Sequence, residues 1–179
     1  MPQTAQLRRI DSIENEAQRV FRKQREAYRR EPYPSFEERV DRLDKLERIL
    51  VDNVDAIAAA IREDFGHRCE MESKLLEVYG CVDGIRYTRR KLRKWMKPQR
   101  RHVAWTFFTG RNRVIPQPKG VVGIVAPWNY PLFLTVSPLT SVLAAGNRAM
   151  IKMASSTQTL ARLLAEKVAA QFDEDTLDI

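Results

Sequence analysis

Hydrophobic residues in the first 97 positions recur at spacings of three and four, the period of helices that bury one face. Ser35 and Glu38 form a capping box at the start of one helix, since each side chain can accept a hydrogen bond from the other residue's backbone amide. Another helix ends at Gly66, which can adopt the left-handed conformation common at helix C-termini. The chain therefore begins with amphipathic helices, the first of which carries Ile13, Ala17, Val20 and Phe21.

The longest apolar stripe predicts a regular helix that ends by Lys97, ahead of Pro98. The last turns of this helix contain many Lys and Arg residues, which the negative end of the helix dipole favours. The stripe consists of Met71, Leu75, Val78, Val82, Ile85, Leu92 and Trp95.

The hydrophobic period changes to two in residues 103–108. This alternation, a turn at Gly110 and a second segment over 111–115 predict a β-hairpin. Beyond Pro118, an apolar run over 120–126 is typical of a buried parallel strand.

The remaining pattern alternates strands and helices, which predicts the start of a doubly wound sheet. A helix over 132–145, which Gly146 can terminate, precedes a strand over 148–153 and a helix over 157–172. We therefore expect an α/β fold with N-terminal helices, a β-hairpin arm and the first two βα units of an incomplete Rossmann-like parallel sheet. The corresponding regions are a helical region over 1–97, the hairpin over 98–118 and the start of a nucleotide-binding domain over 119–179.

Basic charge is concentrated in one segment of this 179-residue chain, whose formal net charge is +8. Residues 86–101 contain nine Lys or Arg and no acidic residue, whereas the rest is nearly neutral. Because Trp95 and Trp105 lie nearby, one alternative function is a nucleic-acid-binding module that contacts phosphates and stacks on bases. A non-catalytic assembly element is another. Nucleic acid is the weaker alternative, since no nucleic-acid-binding motif accompanies the run.

Composition excludes several classes of protein. With 44% hydrophobic and 30% charged residues, the chain is typical of a globular protein. No apolar run reaches the roughly 18 residues of a membrane span, and the mixed charges near the N-terminus fit neither a secretory signal nor a transit peptide. Cys69 and Cys81 lack metal-ligand spacing and are too few for a disulfide framework, which predicts a cytoplasmic protein with reduced thiols, no metal site and no membrane partner.

The segment PKGVVGIVAPWNYPLFLTVSPLTSVLAAGNRAMIK, from Pro118 to Lys152, resembles the aldehyde dehydrogenase superfamily in the order and spacing of its motifs. The upstream helix and hairpin are similar to the class that oxidises aromatic and medium-chain aldehydes. The RNRVIPQPKG and GNRAMIKM segments are most similar to coniferyl aldehyde dehydrogenases. The resemblance implies an oxidoreductase that uses NAD or NADP to oxidise an aldehyde substrate, in a complete enzyme that is a homo-oligomer assembled partly through the hairpin.

Candidate site residues follow the first strand of the sheet. Ligands of open α/β sheets bind where parallel strands end, and residues 127–131 lie at such an end, directly before a helix. Asn129 could donate its amide to a developing oxyanion, or it could simply cap that helix. The resemblance implies that Asn129 stabilises the thiohemiacetal oxyanion and that Lys152 contacts the adenosine ribose hydroxyls. The cofactor-binding residues that it implies are Val125, Ala126, Pro127, Trp128, Lys152 and Ser155.

The sequence departs from the family pattern in two ways. The family places a Glu shortly after the lysine, whereas Ser155 stands here without a charge that could repel a 2′-phosphate; we expect NAD binding to be weakened and discrimination against NADP to be lost. The family's nucleophilic Cys and general-base Glu follow the cofactor-binding segment, and this chain ends before either. Cys69 and Cys81 precede that segment and are expected to be structural. We therefore expect an N-terminal part of such an enzyme that is inactive alone.

Overall fold

A computed structural model describes residues 3–179, with side chains described from residue 16 onward. The helices are α1 (Gln3–Arg30), α2 (Phe36–Asp52), α3 (Val54–Phe65), α4 (Glu70–Glu72), α5 (Gly80–Trp95), α6 (Phe133–Ala144) and α7 (Gln158–Ala169). A π-helical segment, Ser73–Tyr79, joins α4 to α5 without a break. The strands are β1 (Gln99–Arg101), β2 (Asn112–Val114), β3 (Val121–Val125), β4 (Arg148–Lys152) and β5 (Leu177–Asp178).

The predicted helix ends are present around α2 and α3. Ser35 Oγ accepts a hydrogen bond from the Glu38 amide at 3.1 Å, and Glu38 Oε2 accepts one from the Ser35 amide at 2.6 Å, which confirms the capping box. Gly66 terminates α3 at a φ of 76°. In α1 the predicted face is partly wrong, because Ala17 and Phe21 are exposed while Val20 is buried; the side chain of Ile13 lies outside the described residues.

The stripe predicted for residues 71–95 is also only partly correct. Its members Val78, Val82, Ile85 and Leu92 are buried, but Met71 is 68% exposed, Leu75 58% and Trp95 45%. The π-helical segment explains the exposure of Met71 and Leu75, because its wider turn rotates the start of the helix away from the face that follows. On the π-helical segment itself, Ser73 and Glu77 take the buried positions beside Val78.

The hairpin forms nearer its base than predicted. β1 and β2 pair antiparallel, with Gln99 opposite Val114 and Arg101 opposite Asn112. The alternating residues 103–108 are not a strand; a 3₁₀ turn, Trp105–Phe107, lies among them. Trp105 and Phe108 are each 83% exposed, because no described element packs against them. The alternating hydrophobic residues therefore have no layer on which a strand could bury one face.

The two predicted βα units form a parallel sheet in the order β3-β4-β5. β3 and β4 pair from Val121↔Arg148 to Val125↔Lys152, so the two strands end level. The short β5 pairs in parallel with β4 and was not predicted. Gly146 follows α6 at a φ of 83°, a left-handed conformation that favours glycine, and a Cβ there would lie 2.8 Å from the Arg39 guanidinium carbon, which would have to move.

One hydrophobic core connects the N-terminal helices with the α/β region and confirms the predicted α/β fold. α1 lies against the sheet, where the buried Gln24 donates its side-chain amide to Ala149 O at 2.9 Å. No helix in the described part of the chain is long and apolar enough to cross a membrane. The largest fully buried side chains include Leu43, Leu50, Ile57, Ile61, Ile85, Leu132, Leu139 and Leu160.

Candidate functional site

The level ends of β3 and β4 place the predicted cofactor residues at one edge of the sheet. Val125 and Lys152 are register partners, and the Ala126 amide donates to Lys152 O at 3.0 Å. Val125 is 79% exposed, whereas Ala126 is buried and so presents only backbone. This edge is where open α/β sheets bind ligands.

The other predicted cofactor residues surround this edge with exposed polar and aromatic groups. Lys152 is exposed and forms no ion pair with residues 16–179. Ser155 is exposed in the turn after β4. Pro127 and Trp128 are exposed on the loop after β3, and the Trp128 ring lies 6.5 Å from that of Phe65. The arrangement leaves an ammonium and a hydroxyl available to a polar ligand beside an apolar wall.

Asn129 lies exposed between β3 and α6. It does not cap α6, because the N-cap position is Leu132 and the side chain of Asn129 has no hydrogen-bond partner among the described residues. Its amide is therefore available as a donor, which the oxyanion hypothesis requires.

The first amides of α6 are instead bound by Glu77, a residue from the π-helical segment. Glu77 Oε2 accepts from the Leu132 amide at 2.8 Å and from the Phe133 amide at 3.2 Å. Its other oxygen accepts from Arg68 Nη1 at 3.2 Å. The Glu77 side chain is only 1% exposed, so this carboxylate joins the helical region to the start of α6 inside the protein.

Arg68 continues this contact to the backbone of the Asn129 loop. The same Nη1 donates to Asn129 O at 2.9 Å. The guanidinium carbon also lies 4.4 Å from the Phe65 ring centroid and 4.8 Å from that of Tyr130, so Arg68 is in cation–π contact with two aromatic rings. Arg68 therefore contacts the loop at two points, the Asn129 carbonyl and the Tyr130 ring.

The environment of Glu77 affects two titratable groups. Burial raises the pKa of Glu77, while the hydrogen bonds from Phe133 and Leu132 and the charge of Arg68 oppose that shift. Burial, together with the nearby Glu77 charge, raises the pKa of Cys81 to about 12. Cys81 is therefore a protonated core residue at neutral pH, not a nucleophile; Cys69 is exposed.

Sequence reasoning gave no role to Arg68 or Glu77 in this site. The available signal was a single carboxylate, Glu77, placed between Leu76 and Val78 within an apolar helical pattern. A charge at such a position is seldom buried unless it is paired. The pattern could therefore indicate a partner but not identify Leu132 and Phe133, which lie 55 and 56 residues further on.

The basic segment 86–101 packs partly against acidic residues of α2. Arg86 Nε donates to Glu47 Oε1 at 2.6 Å, and Arg89 contacts both Glu47, at 2.8 Å, and Asp44. Arg93 lies with its guanidinium 4.0 Å from the ring centroid of Phe36. Three of the nine basic residues that the sequence concentrates in this segment therefore support the packing of α5 on α2.

Comparison with known proteins confirms the resemblance found in the sequence. The chain matches the aldehyde dehydrogenase family over residues 4–179. It is 43% identical to a probable coniferyl aldehyde dehydrogenase of Pseudomonas aeruginosa over 165 residues, which cover 92% of this chain and 35% of that protein. The chain thus spans about a third of the length of the curated relatives that it matches.

Solved structures show the same fold. Substrate-bound AldH of Staphylococcus aureus is similar at a TM-score of 0.86 and 24% identity, over 90% of this chain and 35% of that one. Succinic semialdehyde dehydrogenase of Streptococcus pyogenes, in complex with NADP⁺, is similar at a TM-score of 0.79 and 22% identity, over the same shares, 90% and 35%. The chain therefore belongs to the aldehyde dehydrogenase family and corresponds to the N-terminal region of its fold.

Proposed function

We propose that this chain forms the N-terminal part of an NAD(P)-dependent enzyme that oxidises an aldehyde to the carboxylic acid. The observation that carries the proposal is the exposed Asn129 side chain, which has no described hydrogen-bond partner and lies beside the paired strand ends at Val125 and Lys152. The identity to a protein named as a coniferyl aldehyde dehydrogenase supports an aromatic aldehyde as substrate.

In this proposal Asn129 acts while the aldehyde oxygen carries negative charge. A thiolate that attacks the carbonyl carbon leaves an alkoxide, and a side-chain amide already free of other partners can donate to that oxygen without reorganising. Preorganised donors of this kind contribute about 3 kcal/mol to lowering the barrier. Because Cys81 is buried and Cys69 precedes the sheet, we propose that neither supplies the thiolate and that the 179-residue chain does not turn over aldehyde alone.

The residues at the sheet edge fit a dinucleotide. NAD or NADP would accept hydride from the substrate when bound. The Lys152 ammonium and the Ser155 hydroxyl would bind ribose hydroxyls, while Val125 and Trp128 would form an apolar wall that excludes water. Since Ser155 bears no negative charge, we propose that the site accepts NADP as well as NAD. Introducing a carboxylate by Ser155→Glu should then weaken NADP relative to NAD by at least about tenfold through like-charge repulsion.

The hairpin supports a homo-oligomer of the complete enzyme. Trp105, Phe107 and Phe108 are 83%, 70% and 83% exposed. Large exposed apolar side chains clustered in this way are typical of a surface that binds another protein chain. Nucleic acid is less well supported as a partner, because Arg86 and Arg89 of the basic segment are already bound to α2 carboxylates.

A chimera tests the function directly. Residues 1–179 are joined to the remaining two-thirds of the P. aeruginosa relative at the matching position, and formation of reduced cofactor is followed with benzaldehyde or coniferyl aldehyde and either NAD or NADP. We expect turnover by the chimera and none by the chain alone. A folded chimera that binds neither cofactor, or rapid turnover by the chain alone, would contradict the proposal.

A further inference from the structure

Arg68 and Glu77 contact each other beside Asn129, and their hydrogen bonds go to the backbone of the Asn129 loop. We propose that Arg68 and Glu77 are positioning residues that fix the Asn129 loop, residues 127–133, in the orientation needed to bind the oxyanion. This inference rests on the proposed function, since positioning matters only if Asn129 is a donor. The pair acts through backbone, not through contact with substrate.

Glu77 fixes the loop at its C-terminal end. One carboxylate oxygen accepts from two successive amides, those of Leu132 and Phe133, at 2.8 and 3.2 Å. These amides begin α6 and have no partner within the helix, so the carboxylate satisfies them and is itself favoured by the helix dipole. With its second oxygen bound to Arg68, Glu77 has little freedom to move without breaking all three hydrogen bonds.

Arg68 fixes the loop at Asn129 itself. Its Nη1 donates to the carbonyl of Asn129 at 2.9 Å, so the peptide that follows the proposed donor has a fixed plane. Cation–π contacts with Phe65 and Tyr130 limit movement of the guanidinium, and the Arg68 side chain is only 13% exposed. The backbone conformation of Asn129 sets the direction of its Cα–Cβ bond and its allowed rotamers. Fixing the Asn129 carbonyl therefore restricts the direction of its side-chain amide.

Packing of α6 does not depend on this contact. The helix is anchored by side chains that are 2% exposed or less and lie on its own apolar face: Val136, Leu139 and Leu143. Loss of the Arg68–Glu77 contact should therefore loosen residues 129–133 while α6 remains packed. This separates a positioning role from a purely structural one.

The first test uses the chain itself and measures hydrogen exchange at individual amides. In Glu77→Gln we expect the Leu132 and Phe133 amides to exchange at least about tenfold faster than in the wild type, because the charged acceptor is lost. Amides later in α6 should keep their protection. The matched control is Glu70→Gln, which removes the same charge from an exposed pair with Arg62 one helical segment away and should leave the loop unchanged.

The second test is a double-mutant cycle in the chimera. Glu77→Gln should lower kcat by about tenfold, with KM and cofactor Kd nearly unchanged, and Arg68→Lys should restore part of what Arg68→Ala loses. If the pair acts through Asn129, Glu77→Gln should have little further effect on kcat in an Asn129→Ala background. An equal loss in both backgrounds would overturn the inference.

Other outcomes are also decisive. Unchanged exchange at Leu132 and Phe133 in Glu77→Gln, or loss of protection throughout α6 in both the variant and its control, would contradict positioning. If Glu77→Gln does not fold, Arg68→Ala carries both tests, with exchange measured at the amides of residues 129–133, because it removes the donor to Asn129 O and to Glu77 Oε1; Arg68→Lys is then its conservative control. An inactive wild-type chimera would refute the proposed function, and the exchange measurement would still decide whether the pair orders the loop.

Discussion

Glu77 and Glu174 are two of the carboxylates that tie the N-terminal helices to the α/β region, and they do so in opposite environments. Glu77 extends from the helical side to the amides of α6 and is 1% exposed. Glu174 extends from the α/β side to Arg19 and Lys23 of α1, and its side chain is 30% exposed. Burial raises the pKa of Glu77, whereas hydrogen bonds from Arg19 and Lys23 lower that of Glu174 to about 2. The comparison shows that similar sets of hydrogen bonds leave opposite pKa shifts when solvent access differs.

The largest expected difference is in stability. Glu77→Ala leaves Arg68 and two helix amides without an acceptor in the interior, and breaking a buried pair in this way costs about 3 kcal/mol or more. Glu174→Ala breaks exposed pairs and should cost under about 1 kcal/mol. Urea unfolding of the two variants of the same chain checks the ranking. Equal decreases in the free energy of unfolding for the two variants would show that the Glu77 hydrogen bonds are accessible to solvent.

The next prediction concerns Asn129, whose loss should affect catalysis and not stability. Asn129→Ala should lower kcat of the chimera by about a hundredfold through loss of the oxyanion donor, yet leave the free energy of unfolding nearly unchanged because the side chain is exposed. Gln171→Ala, which removes another exposed side-chain amide far along the chain from the site, is the matched control. If Asn129→Ala instead lowers stability with unchanged kcat, the residue is structural.

The two carboxylates should also respond to pH with opposite signs. For Glu174, whose pKa is lowered to about 2, the stabilising contribution is present above the ordinary Glu value of 4.5 and is lost as pH falls towards 2. For Glu77, whose folded-state pKa is raised, the contribution is fully present below the unfolded value and declines as pH rises through the folded one. Unfolding from about pH 6 to about pH 3, compared with Glu174→Gln and Glu77→Gln, measures both slopes. Slopes of the same sign would contradict the assigned environments.

The smallest expected effect concerns salt. At about 1 M salt the Debye length falls to about 3 Å, so the stability difference between wild type and Glu174→Gln should nearly disappear. The corresponding difference for Glu77→Gln should persist, because ions do not reach a side chain that is 1% exposed. Thermal unfolding at low and high salt provides the measurement. Equal screening of both differences would place Glu77 in solvent.

Local patterns predicted the parts of this fold that depend on near neighbours. The capping box at Ser35, the two βα units and the strand end at Val125 all rest on spacings of a few residues. The contacts of Arg68 and Glu77 with the Asn129 loop could not be predicted, because Asn129 and Leu132 lie more than 50 residues further along the chain and the residues between determine whether they meet. The hairpin was misplaced for a related reason, since alternation predicts a strand only where a second layer gives one face something to bury.

The π-helical segment Ser73–Tyr79 has a consequence for insertions and deletions. A π turn contains one residue more than an α turn, so deleting Lys74 would leave a continuous α-helix with the residues on either side in nearly the same relative orientation. Arg68 would then still lie beside Glu77, and we expect the shorter variant to keep both its helical content and the ordered loop. If the residues formed a continuous α-helix at their present length, everything N-terminal to the segment would instead turn by about 100° relative to α5. That rotation would carry Met71 towards the apolar face and Arg68 away from Glu77. The π turn therefore serves the site and not the helix.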